Sequence, residues 1–187
     1  MSFSASGQIA QALVFLRWKS LKTVREYVIP RNPNTPLQQV QRGYFADAVE
    51  EWHLTKYSAS DRSAWDRYAA ILEDPMSGFN AFVQQWLNLA RAAADVLNPP
   101  WLCGLNPSGA GEFDADLEED GDAASAFLFW GYSPTNMPTL ETLAEAPANV
   151  WTLHDIAATS GLRIYGRYVT NGVAYQGYSG IYQYDVP

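Results

Sequence analysis

Cysteine occurs once in this 187-residue chain, at Cys103, which excludes an intramolecular disulfide framework and a Cys-rich zinc site. Histidine occurs twice, as His53 and His154, and leaves little for a histidine metal centre or His-dependent catalysis. No apolar run approaches the ~18 residues of a membrane span. The opening Met1-Ser2-Phe3-Ser4-Ala5-Ser6 lacks the basic-then-apolar order of a signal peptide. The expectation is a soluble protein without an export signal. Charged residues make up only 17% against 48% hydrophobic, so the chain is not a disordered acidic polymer. What it has in quantity is aromatic side chains, at 14%, which favour β structure, interfaces or both.

Charge is unevenly placed. Residues 1–98 hold ten Lys/Arg and nine Asp/Glu, whereas residues 99–187 hold Arg163 and Arg167 against eleven Asp/Glu. Ten of the 13 glycines also follow residue 98. The change coincides with Asn98-Pro99-Pro100, a helix stop and a stiff joint. The expected organisation is a helical domain with an N-terminal β-hairpin over 1–98, a linker over 99–104 and a β-sandwich over 105–187. Each half is about 90 residues, only marginally stable alone.

In the first half, Ala12–Trp18 and Thr23–Ile29 read as two strands of a hairpin, closed by Lys19 to Lys22. Residues Arg31 to Pro36 form a rigid extended segment in which Thr35 is placed to cap a helix and Pro36 to open it. Leu37, Val40, Tyr44, Phe45, Ala48, Val49 and Trp52 keep helical spacing. Ser58 and Asp61 form a capping box for a second helix, with Ala64, Trp65, Tyr68, Ala69 and Leu72 inward. Asp74-Pro75 ends it. A third helix starts near Ser77 and carries Phe79, Phe82, Val83, Trp86, Leu87, Ala90 and Leu97. The expectation is a three-helix bundle with a β-hairpin.

Basic residues gather early: Arg17, Lys19, Lys22, Arg25, Arg31 and Arg42, with Glu26 opposing. This cluster is the candidate protein interface. Phosphate contact and a merely solvated face are the alternatives. A dedicated DNA-binding domain is usually more basic overall than this acidic chain.

In the second half, Phe113, Ala115 and Leu117 alternate with Glu112, Asp114, Asp116 and Glu118, the period of a half-buried strand. Further strands are expected at Ala126–Tyr132, Leu140–Leu143 (a short edge strand), Val150–Ile156, Leu162–Val169 and Tyr175–Asp185. Strands recurring with turn signals between them suggest an antiparallel sandwich. The fold class is therefore α+β.

Phe127 to Tyr132, Leu162 to Val169 and Gly177-Tyr178-Ser179-Gly180-Ile181 give residues 105–187 a resemblance to fibronectin type III and related immunoglobulin-like domains. A second resemblance is carried by Trp18-Lys19, the stretch from Tyr27 through Asn32-Pro33-Asn34-Thr35-Pro36 to Gln41-Arg42, Trp65, and Met76-Ser77-Gly78-Phe79-Asn80-Ala81-Phe82. Over about residues 14–90 the chain resembles small proteins of the structural gene clusters of tailed bacteriophages and prophages. The resemblance implies a virion or virion-assembly component.

Catalytic motifs are scarce. Gly177 to Gly180 has the wrong spacing for a nucleophile elbow. The glycines of Ser108 to Gly111 lack the lysine of a phosphate loop. Cys103 as a nucleophile would need His53 or His154 beside it. Asp116, Glu118 and Asp120 imitate the start of a calcium loop, but Phe127 stands where the bidentate glutamate belongs. They are a weak metal candidate, and the other reading is a solvated hairpin whose charges resist edge pairing. Tyr165, Tyr168, Tyr175, Tyr178, Tyr182 and Tyr184 could serve a core, a protein interface or sugar binding.

The reading is therefore a non-enzymatic virion structural protein without cofactor. It would be head-associated (accessory or decoration) or a head–tail neck protein, assembled in the host cytoplasm. Its partners would be other virion proteins and copies of itself, with no membrane. The alternatives are a tail or receptor- and carbohydrate-binding module, or a DNA-associated assembly factor.

Overall fold

Alternation and helical spacing translate into ten strands and three helices among the described residues. The computed structural model describes residues 7–9, 13–18, 21–26, 34–74, 76–92, 98–121, 123–146, 149–172 and 176–187. In chain order the elements are β1 Gly7–Ile9, β2 Leu13–Trp18, β3 Leu21–Glu26, α1 Pro36–His53, α2 Ala59–Ala70, α3 Gly78–Ala92, β4 Trp101–Gly109, β5 Glu112–Glu118, β6 Ser125–Gly131, β7 Thr139–Ala146, β8 Val150–Ala157, β9 Arg163–Asn171 and β10 Gln176–Asp185. They belong to two compact units, Met1–Gln39 and Val40–Pro187.

The first unit holds an antiparallel sheet in the order β1-β2-β3. The expected hairpin is present as β2 and β3, and β1 adds a strand. Of the closing segment expected over Lys19 to Lys22, Leu21 and Lys22 instead begin β3; Lys19 and Ser20 lie outside the described residues, as do residues 27–33, which hold the end of the expected second strand and most of the Asn-Pro segment. Thr35 caps α1 as its position predicts: the Gln38 amide donates to Thr35 Oγ1, and the Thr35 amide donates to Gln38 Oε1, each at 3.4 Å.

In the second unit the helical face is aromatic. Phe82 is met edge-on by Trp52, Tyr57 and Trp65 and is stacked on Trp86. Such ring pairs contribute about 0.5–1.5 kcal/mol each beyond their buried area. Ala48 of α1, Ala69 of α2 and Ala81 of α3 are small enough to let the backbones approach these rings. Leu37, Val40 and Phe45 of α1 remain exposed, so only the later turns of that helix join the apolar cluster. Ser58 caps α2 and Asp61 returns the bond, forming the predicted capping box.

The seven remaining strands form one antiparallel sheet in the order β10-β9-β6-β7-β8-β5-β4. Strand β7 pairs with β6 through Thr139 to Leu143 and with β8 through Ala144 to Ala146. It passes from one layer to the other, so it is internal and longer than the edge strand its sequence suggested. Phe113, Ala115 and Leu117 of β5 point inward with Ala126, Leu128 and Trp130 of β6, Ile164 and Tyr168 of β9, and Trp151 and Ile156 of β8. The sheet curls until it is nearly a barrel, with β4 approaching β10. The Tyr168 hydroxyl donates across to the Gly104 carbonyl of β4.

Helix α2 lies against β10 and reaches β4. It comes so close that a Cβ at Gly180 would stand 2.3 Å from the carbonyl carbon of Ala64. Only glycine fits there. The same packing changes the expected joint. Residues 99–104 lie inside the second unit, with Pro99, Pro100, Trp101 and Cys103 buried and β4 beginning at Trp101. The residues expected as a linker are held by the core; residues 93–97, which precede the expected stop at Asn98-Pro99-Pro100, lie outside the described residues.

Candidate interaction surfaces

Asp61 is the most highly coordinated polar group described, and it sits where α2, β4 and β10 meet. Helix α2 supplies it at the third position after the cap, which turns its carboxylate back toward the strand edges. The Ser58 amide and hydroxyl donate to Oδ2 at 2.7 and 2.6 Å. The Leu102 amide donates to Oδ2 and the Cys103 amide to Oδ1, each at 3.3 Å. The Tyr182 hydroxyl donates to Oδ1 at 2.5 Å. The side chain is 1% exposed. A buried carboxylate surrounded by donors is stabilised only while all of them stay in place. Beside it lies a polar cleft of about 320 Å³ lined by Arg67, Cys103, Asn106, Asp116 and Tyr182 among others. Burial, followed by the charge of Asp61, pushes the Cys103 thiol well up. The thiol form is favoured over the thiolate there. His154, its proposed base, instead faces Asp114 at 3.0 Å.

The outer face of β5 carries the alternating carboxylates Glu112, Asp114, Asp116 and Glu118. His154 on β8 pairs with Asp114 and holds that carboxyl below its usual range, while Asp114 raises the imidazole. Asp116 is raised, first by burial and then by the charge of Asp114, despite a bond from Asn106. Among the described residues, Asp116 and Glu118 form no ion pair with a Lys or Arg. Asp120 turns away to Lys56 at 3.1 Å and to Asn98. No three His, Cys, Asp or Glu among the described residues are grouped to hold a metal. The candidate set Asp116, Glu118 and Asp120 is therefore not brought together as ligands.

A third surface is an apolar groove of about 320 Å³ on the outer face of β6, β7, β9 and β10. It is lined by Phe127, Phe129, Leu140, Val169, Asn171, Gln176 and Tyr178. Leu140 is 52% and Phe129 37% exposed. Beside it Arg167 is held between the rings of Tyr68 and Tyr178, with its charge centre 4.1 and 5.1 Å from their centroids. Its Nε donates to the Ser179 carbonyl.

The chain matches no family model, no curated protein and no solved structure.

The six basic interface candidates are distributed as follows. Arg17 and Lys22 are direct cross-strand partners in β2 and β3, and Arg25 is opposite Val14. Successive residues alternate faces, so Arg25 belongs to the other face of this sheet. Arg42 is on α1, in the second unit. Lys19 and Arg31 lie outside the described residues. No described helix is long and apolar enough to cross a membrane.

Sequence reasoning missed Asp61 as a long-range acceptor and missed Arg167 and the groove altogether. The capping box flagged Asp61, but its other partners lie 41 to 121 residues away. For the groove, the available signal was Phe127 and Phe129 alternating with inward Ala126, Leu128 and Trp130.

Proposed function

We propose that the chain is a non-enzymatic structural component of a tailed-phage virion, head-associated or at the head–tail neck. The observation that carries this reading is the small basic sheet of the first unit. A sheet of three strands of three to six residues needs a hydrophobic face or a helix packed on it to be stable. Leu13 and Val24 are nevertheless 42% and 54% exposed. A unit of this kind is completed by a partner, as expected of a subunit built into an assembly. The fibronectin type III or immunoglobulin-like identity of the sandwich is part of the same proposal. Two antiparallel layers, β10-β9-β6 and β8-β5-β4, joined by a strand that changes layers, support it. The three-helix bundle is retained as the reading of α1 to α3, supported by their shared aromatic cluster.

The test is mass spectrometry and cryo-electron microscopy of purified particles from the phage or prophage that encodes the chain. Many ordered copies at a symmetric site are expected. Absence from particles, despite expression during particle formation, overturns the reading.

The groove at Phe129, Leu140 and Tyr178 favours a second reading, a carbohydrate- or receptor-binding module. Aromatic faces beside the amides of Asn171 and Gln176 suit sugar rings and hydroxyls. Saturable binding on a glycan array, abolished by Phe129→Ala, would support it over the first reading.

A further inference from the structure

Charge follows the division into units more sharply than it follows the sequence halves. Residues 1–39 carry five Lys/Arg against Glu26 alone, a net +4, and residues 40–187 carry seven Lys/Arg against nineteen Asp/Glu, a net −12. One face of the first unit's sheet combines this charge with apolar surface. Cross-strand register places Leu13 with Glu26, Phe15 with Val24, and Arg17 with Lys22 on that face. It therefore runs from exposed Leu13 and Val24 to a pair of cations.

The outer face of β5 has the complementary character. Asp114, Asp116 and Glu118 stand two residues apart on one strand, about 7 Å from one to the next. Burial first, and then the charges of Asp114 and Glu118, raise Asp116, so the row repels itself and a cationic partner would relieve it. Beside it, the pairing of β4 with β5 is irregular between Trp101, opposite Glu118, and Gly104, opposite Asp116. Leu102 lies in that irregularity with φ 46° and is 46% exposed. Each surface thus has an excess of one sign of charge, opposed by Glu26 at the Leu13 end of the first and by His154 at Asp114 on the second, and an apolar contact next to it.

We propose that the Arg17–Lys22 face of one copy docks on the β5 face of a second copy, so that the chain self-associates head to tail. The two surfaces differ, which makes the contact heterologous: it generates a ring where the rotation closes and a filament where it does not. This deepens the assembly reading above and rests on it by naming a second copy as the partner that covers the first unit.

The experiment is sedimentation velocity on the full chain over a wide concentration range, at low and at high salt. Self-association is expected at low salt, with an affinity about tenfold or more weaker at high salt, because exposed charge pairs are screened. Arg17→Gln with Lys22→Gln spoils one face, and Asp116→Asn with Glu118→Gln spoils the other. Each double variant alone is expected to sediment as a monomer. Mixed, they are expected to form a 1:1 heterodimer and stop there, since each retains one intact face. The reversed pairs Arg17→Glu with Lys22→Glu, and Asp116→Lys with Glu118→Lys, are a second set: each alone should be a monomer, and mixed they should associate beyond the dimer, because the two reversed faces are complementary to each other. A monomer at every concentration at low salt overturns the proposal, as does association that ignores the variants or a mixture that stays monomeric. Particle composition decides the virion reading separately, so the two failures are distinguishable.

Discussion

Removing the carboxylate of Asp61 tests what closes the sheet. Asp61→Ala leaves the Cys103 amide and the Tyr182 hydroxyl without their acceptor, and both bonds are buried. Leaving a buried donor unsatisfied costs about 1–3 kcal/mol. Loss of the reciprocal cap at the start of α2 adds about 1 kcal/mol. Ser58 is half-buried and its hydroxyl can turn to water, so that bond adds little more. The expected loss is about 3–7 kcal/mol, a large share of the ~5–15 kcal/mol that stabilises a typical domain. With a urea slope of ~2 kcal/mol/M, the unfolding midpoint should fall by about 1.5–3.5 M.

A second readout separates this seam from general weakening. Cys103 donates its backbone amide to Asp61, and its buried thiol is held protonated by burial and by the Asp61 charge. Asp61→Ala both loosens β4 and removes that charge. Both effects should speed thiol labelling under native conditions by about tenfold or more. Asp61→Asn keeps the shape but turns an NH2 toward donors, and should fall between the parent and the alanine variant. A stability loss below about 1 kcal/mol for Asp61→Ala, or an asparagine variant as stable as the parent, refutes the reasoning.

Three further predictions come from single contacts. Gly180→Ala forces a methyl onto the backbone of Ala64, so it should cost about 3 kcal/mol in denaturant unfolding, and Ala64→Gly should not rescue it. Asp116→Asn should stabilise the protein at neutral pH by up to about 1 kcal/mol, an amount limited because the group is half in solvent. Its folded-state pKa is raised, so the parent takes up the proton as pH falls, and the gain should vanish once Asp116 is protonated, as thermal melts at pH 3 and pH 7 can show. For His154, raised from 6.5 first by its bond to Asp114, the favourable charge is present below the unfolded pKa and is lost as pH rises through the folded one. Asp114 is lowered, so its share is lost as pH falls through its own folded pKa. NMR titration should accordingly give a lower His154 pKa in Asp114→Asn than in the parent.

Much of the fold was legible because its signals are local. Alternation in β5, the capping box of Ser58 and Asp61, and the helical spacing of Trp65, Phe82 and Trp86 each act within a few residues. What escaped depends on distant partners. Trp101 to Gly109 contains Pro107, a left-handed Leu102 and an irregular pairing, so it lacks the period of a strand, and its first four residues fall in the expected linker over 99–104. It is a strand because β5 pairs with it and Asp61 holds its first amides. Strand β7 looked like an edge because four residues carry its pattern, yet each half is completed by a different neighbour. The candidate surfaces divide in the same way. The acidic row can be read from alternation, whereas the groove requires β6, β9 and β10 to lie side by side.

The two units meet the cost of exposed apolar surface in different ways, and the difference bears on the docking proposed above. In the second unit the sheet curls toward closure and α2 covers the gap, with Gly180 and Asp61 fitting helix to strands. Its remaining exposed apolar positions, Phe129 and Leu140 among them, are a minor part of a surface that a folded unit tolerates. The first unit has no comparable arrangement among its described residues. Its sheet is three strands wide, and apolar Leu13 and Val24 stand on the same face as Arg17 and Lys22. Like charges placed directly opposite are destabilising in an isolated strand pair. They become favourable once an acidic surface faces them, and the same contact would cover the apolar positions. A single docking event would thus relieve both costs, so the stability of residues 1–39 should depend on protein concentration while that of the sandwich does not. Hydrogen exchange at two protein concentrations can measure the difference: amides of β2 and β3 should gain protection at the higher one, and those of β5 and β6 should stay the same.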